Sequence, residues 1–156
     1  MERLRTLPPT GVYRKGELDL LEVLRSLESV YSDGSVGAMA TFLGVARSTS
    51  SDGREVVEVH MEAYAENAER ELSRIVSECV SKYSLRFGGI WHLLGSFSPG
   101  EPIVLVVSLG PRRREVFAAL QEMVERYKRE PALFKRETFR DGSHRWVGEE
   151  EMFREG

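Results

Sequence analysis

Lys128 and Lys135 are the residues of this chain best suited to do chemistry. Only four of its 22 basic residues are lysine, and two of these stand seven positions apart among arginines. Arginine stays protonated, so it binds anions but serves as neither base nor nucleophile. A lysine amine can do either once desolvation and cationic neighbours depress its pKa. Arg126, Arg129 and Arg136 are such neighbours in sequence; chance placement of two lysines is the plain alternative. Upstream, Arg112-Arg113-Arg114 follows an expected strand and opens an expected helix. Amide N–H groups at a helix start favour anions, and guanidinium groups grip phosphate in pairs. The alternative is a solvated helix end, although cations there oppose the helix dipole. Net charge is −3, yet residues 112–145 carry ten basic against six acidic groups. Together these residues describe an anion-binding pocket with an amine available for catalysis.

Other site types are absent. The chain has no Walker loop, no GxGxxG after a strand, no HExxH and no GxSxG. His60, His92 and His144 lie far apart without ligand spacing, so each reads as a surface or satisfied structural residue and no metal site is expected. Cys79 falls on the apolar stripe of an expected helix and reads as core. One cysteine excludes an internal disulfide framework and fits a reducing cytoplasm. No apolar run approaches the ~20 residues of a membrane span, and the opening MERLRTLPPT lacks an apolar leader core. Acidic flanks and the lack of interleaved aromatics argue against nucleic acid as a partner.

The elements that must position these residues follow from periodicity. With 156 residues, 41% hydrophobic and 30% charged, a single domain over 1–156 is expected. It has an extended arm over 1–10 and an acidic tail over 148–156. Leu18 to Val30 have helical spacing within 16–30. Val36 to Ala46 reads as a buried strand in which Gly37 and Gly44 permit close approach or a bulge. STSSDGR over 48–54 reads as a mobile loop, and Val57, Val59, Met61 and Ala63 alternate as in a half-buried strand. Helical spacing returns over 65–83 and again over 113–128, the latter on Val116, Phe117, Leu120, Met123, Val124 and Tyr127. Pro131 ends that helix near Lys128. Strands are expected over 87–94 and 102–109, and a hairpin over 134–139 and 144–147. The order indicates an α+β fold.

The strongest motif runs Tyr127-Lys128, Pro131, Phe134-Lys135-Arg136-Glu137, Asp141-Gly142 and Arg145-Trp146-Val147. With Thr41 to Arg47, Glu62-Ala63-Tyr64 and His92 to Gly95 in the same order, the chain resembles the MoaE family, the large subunits of molybdopterin synthase, from about Gly37 to Val147. The resemblance implies an α/β-hammerhead-like fold with an additional antiparallel hairpin. It also implies a sulfurtransferase acting on cyclic pyranopterin monophosphate, with sulfur supplied by the C-terminal Gly-Gly thiocarboxylate of a small ubiquitin-like subunit. No separate cofactor is implied. Assembly would be a heterotetramer built on a homodimer of this chain; two apolar strands already suggest more sheet than one small domain covers alone. By position, Lys128 would act as acid/base or attack the acyl adduct, and Lys135 would hold substrate or the partner's tail. Arg47, Arg112, Arg113, Arg136 and Glu137 match substrate-pocket positions, and Arg47, Arg112 and Arg113 are expected to converge with both lysines on one concave site, to which the resemblance implies the second protomer can contribute an arginine.

This chain departs from the family pattern at four points. Arg112 stands where a histidine is usual, His92-Leu93-Leu94-Gly95 lacks an arginine, Phe134 replaces tryptophan, and Pro131 sits one place early. A non-catalytic module binding a phosphate, a pterin or an acidic partner is the alternative; retention of both lysines in an arginine-rich chain weighs against it.

Overall fold

The computed structural model describes residues 6–148. The first five residues of the expected arm, and all of the expected tail beyond Gly148, lie outside the described residues. The elements run β1 (Gly11–Arg14), α1 (Leu20–Ser26), α2 (Glu28–Tyr31), β2 (Ala38–Val45), β3 (Val56–Ala63), α3 (Ala65–Lys82), β4 (Phe87–Phe97), β5 (Pro102–Gly110), α4 (Arg113–Tyr127), β6 (Leu133–Phe139) and β7 (His144–Trp146). The sheet order is β2-β5-β4-β3-β6-β7, with β1 pairing parallel to β4 and every other pairing antiparallel. This is the expected α+β architecture.

β4 is the spine. Its first half pairs with β5, while Gly95 to Phe97 pair with β3. Strand alternation then sorts the core. Trp91, Leu93, Leu105, Val107 and Leu109 pack toward α1, whereas Ile90, Val104 and Val106 pack toward α3 and α4. The described part of the arm docks on this spine: the Trp91 indole donates to the Pro8 carbonyl at 2.9 Å, and the Ile90 amide donates to Thr10 Oγ1 at 3.0 Å.

Four local expectations are corrected. The helix expected from residue 16 begins at Leu20, because Asp19 Oδ1 accepts from the Leu21 and Glu22 amides and caps it there. β2 is an edge strand, half exposed rather than buried, with Met39, Leu43 and Val45 open to solvent. Phe117, assigned to the core stripe of α4, is 62% exposed. The 48–54 loop is fastened rather than loose: Ser50 bonds Asp52, the Ser50 amide donates to the Arg54 carbonyl, and the Arg54 guanidinium lies 3.6 Å from the Phe139 ring centroid. The glycine reading holds. A Cβ at Gly37 would stand 2.2 Å from the Pro111 carbonyl oxygen, and one at Gly44 would stand 2.5 Å from Val104 Cγ1.

Candidate active site

Lys128 and Lys135 meet in one pocket of about 240 Å³, where β2 and β5 part from β3 and β6. Phe42, Val45, Met61, Ile103 and Val104 supply apolar wall, and the lining also includes His92 and Tyr127, with polar and apolar surface nearly equal.

Each lysine is held by its backbone. Lys128 is the C-cap of α4, still helical at φ −77°, ψ −15°. The turn after it is pinned from α3: the Asn67 side chain accepts from the Ala132 amide at 2.8 Å, and the Tyr64 amide donates to the Ala132 carbonyl at 3.0 Å. Buried Pro131 and Leu133 then start β6. Lys135 lies opposite Met61 in the β3–β6 register, which points both into the pocket.

An ion-pair network braces the last turn of α4. Arg126 donates to Glu130 at 2.6 Å, to Glu78 at 2.7 Å and to Glu122 at 3.3 Å, while Arg74 reaches Glu130 at 2.8 Å. These contacts tie α4 to α3 one turn before Lys128. Glu122 also accepts from Lys82 and Tyr83, which hold its carboxyl down at about 2. Cys79 is buried beside it, its thiol pushed up to about 11 chiefly by burial; that is an unreactive core cysteine, as its helical position indicated.

His92, read from sequence as a surface or satisfied structural residue, is buried at 2% exposure and hydrogen-bonded, and it also lines the pocket. Its Nδ1 lies 2.8 Å from the Leu93 carbonyl, and its ring meets Tyr127 edge-on at 5.9 Å between centroids. Burial first, and the Lys128 ammonium second, lower its pKa to about 4 against the opposing pull of the Leu93 carbonyl, so the ring is neutral at pH 7. The available signal was a polar residue on the inward parity of an apolar strand, level with Ile90. Burial likewise raises the pKa of Tyr127.

The remaining expected site residues are placed as follows. Arg47 lies two residues past pocket-lining Val45, exposed beside the Pro99-Gly100 turn. Arg112 and Arg113 are exposed at the opposite end of α4 from Lys128, roughly 22 Å away at 1.5 Å per residue. Within one chain they do not converge with the lysines. Arg136 alternates with Lys135 to the other face of β6, with its guanidinium 5.6 Å from the Trp146 ring. Glu137 is buried at 2% exposure and faces Arg145 across the hairpin at 3.5 Å. No group of three or more His, Cys, Asp or Glu among the described residues could hold a metal, and no described helix is long and apolar enough to cross a membrane.

The family model described as MoaE protein matches residues 14–130. The molybdopterin synthase catalytic subunit of Pyrococcus abyssi is 34% identical over 119 residues, 76% of this chain and 79% of that relative. The protein of the same name from Oryza sativa is 34% identical over 122 residues, and the chain spans 62% of its length. Among solved structures, molybdopterin synthase from Staphylococcus aureus aligns with TM-score 0.77 at 23% identity, over 89% of this chain and 96% of that one. A complex of subunits 1 and 2 of molybdopterin-converting factor from Helicobacter pylori aligns with TM-score 0.68 at 18% identity, over 88% of this chain and 89% of that one. At these identities the two structures speak to the fold alone.

Proposed function

Because the chain belongs to the MoaE family, we propose that it works as the catalytic, large subunit of a molybdopterin synthase, a sulfurtransferase of molybdenum cofactor biosynthesis. Its substrate is cyclic pyranopterin monophosphate, and sulfur arrives on the C-terminal thiocarboxylate of a small ubiquitin-like partner. The reaction so written needs no resident cofactor.

The observation that carries this reading is the meeting of Lys128 and Lys135 in one pocket that also has apolar and aromatic wall. Apolar and aromatic walls suit a flat heterocycle, and two ammonium groups suit its cyclic phosphate and an incoming thiocarboxylate. Lys128, at a helix end and near the neutral His92, is the amine assigned to proton transfer or acyl attack. Lys135, on a strand, holds substrate or the partner's tail. The partner assignment draws support from the Helicobacter complex, in which two subunits of a molybdopterin-converting factor are bound together.

Assembly as a homodimer is part of the proposal. The β2 edge, unpaired among the described residues, and its exposed Met39, Leu43 and Val45 form an apolar margin that a second copy can cover. Arg112 and Arg113, remote from the lysines of their own chain, would then serve the pocket of the other copy. Light scattering at micromolar protein should give twice the mass of this chain; a monomer would remove the arginines from the site.

The deciding experiment mixes the purified protein with the thiocarboxylated small partner and the pterin precursor and assays for dithiolene product. Product formation supports the reading. Precursor binding without product would replace it with a non-catalytic binding module.

A further inference from the structure

We propose that His92 is a built-in hydrogen-bond acceptor of the pocket, which selects a reduced heterocycle by accepting one of its ring N–H groups at Nε2. The inference rests on the pterin-binding reading above and names a residue and a selection that the reading does not contain.

The tautomer follows from geometry. A carbonyl oxygen only accepts, so the 2.8 Å contact between His92 Nδ1 and the Leu93 oxygen places the proton on Nδ1. Nε2 is left as a lone pair, and among the described residues the hydrogen bond seen at this ring is the one at Nδ1. The ring is held in place by its burial and by the edge-on contact with Tyr127. Lys128 flanks the same tyrosine, its Nζ 5.9 Å from the ring centroid. A cation and a neutral acceptor thus both lie beside one aromatic ring.

This pairing has a chemical consequence. The lysines present N–H donors, which draw the anionic part of a ligand. His92, lining the same pocket, presents a lone pair that a ligand N–H group can fill. A reduced pterin carries ring N–H groups that fill it; the oxidised aromatic ring presents nitrogen lone pairs there and meets repulsion. The low pKa of His92 keeps the acceptor available at neutral pH. Orientation also follows, since the phosphate faces the lysines while the reduced ring edge faces His92.

The test uses the pterin precursor and its air-oxidised aromatic form as probes, with binding measured by calorimetry. Wild type should favour the reduced form by about tenfold, the scale of one well-placed hydrogen bond. His92→Asn keeps a donor for Leu93 but has no acceptor at the Nε2 position, and should lose that preference by weakening only the reduced form. His92→Gln, whose longer amide reaches the Nε2 position, should recover part of it. In ¹⁵N spectra of the free wild type, His92 should be the Nδ1–H tautomer, with the Nε2 signal moving when the precursor binds. Equal weakening of both probes in His92→Asn, unchanged affinities, or an Nε2–H tautomer would overturn the proposal. A wild type that binds the precursor without preferring it overturns this inference and leaves the proposed function standing. A wild type that binds neither probe overturns both.

Discussion

Acidification should cost this protein a measurable share of its stability through His92 alone. An unfolded chain takes up the imidazole proton near pH 6.5, whereas burial and the Lys128 ammonium lower the folded value to about 4. Between those values the unfolded chain binds a proton that the folded chain refuses, so stability falls with falling pH and is fully present above about 6.5. The limiting slope is about 1.4 kcal/mol per pH unit, which over this window amounts to about 3 kcal/mol. For a chain of this size that corresponds to a lowering of Tm by about 6–12 °C. The assay is urea unfolding of wild type and His92→Asn at intervals from about pH 7 to about pH 4.5. The variant starts less stable, but its curve should be flatter, so the gap between the two proteins closes as pH falls. Carboxylates common to both drop out of that difference. A gap that stays constant across the window would refute the buried, neutral assignment of His92.

Other expected outcomes concern the lysines, the brace and the close approach at Gly37. Lys128→Arg keeps the charge but removes an amine that can give up its proton, so precursor binding should survive while sulfur transfer falls ~100-fold. The same exchange at Lys135 should cost only a few-fold; near-normal turnover by Lys128→Arg would leave that residue as a binding cation. Arg126→Met removes the pairing of α4 with Glu78, Glu122 and Glu130, while Arg74 still reaches Glu78 and Glu130, so it should cost only about 1 kcal/mol in urea unfolding. Gly37→Ala drives a Cβ to 2.2 Å from the Pro111 oxygen, so β2 or the chain leading into α4 must shift, at about 1–3 kcal/mol; unchanged stability by the same measurement would mean the two segments are not in contact.

Element types were legible in the sequence because the signals that set them are local. Helical spacing located α3 and α4 to within a residue, Pro131 predicted the end of α4 beside Lys128, and alternation located β3. The start of α1 was misplaced because apolar spacing continues through residues that the Asp19 cap excludes. Strand burial was misjudged at β2, and the core stripe of α4 at Phe117, for one reason. Composition records how apolar a segment is, whereas its position at the edge of the sheet decides whether anything covers it.

The site divides in the same way. Lysines in an arginine-rich segment mark amine chemistry by residue type alone, so Lys128 and Lys135 could be chosen unaided. Their convergence depends on the turn that Asn67 and Tyr64 pin from another helix, a contact across the fold. Arg112 and Arg113 share the segment's charge yet stand a helix length away, because a rigid helix separates its two ends however close they are in sequence. His92 shows the converse. It is remote from Lys128 along the chain and unremarkable by spacing, and it enters the pocket only because β4 is buried against α4 with that parity facing inward. Local chemistry thus determined what the elements are and which residues are able to react. Packing between distant segments decided which of them face one another, since that is settled by how the sheet and helices bury their apolar faces together.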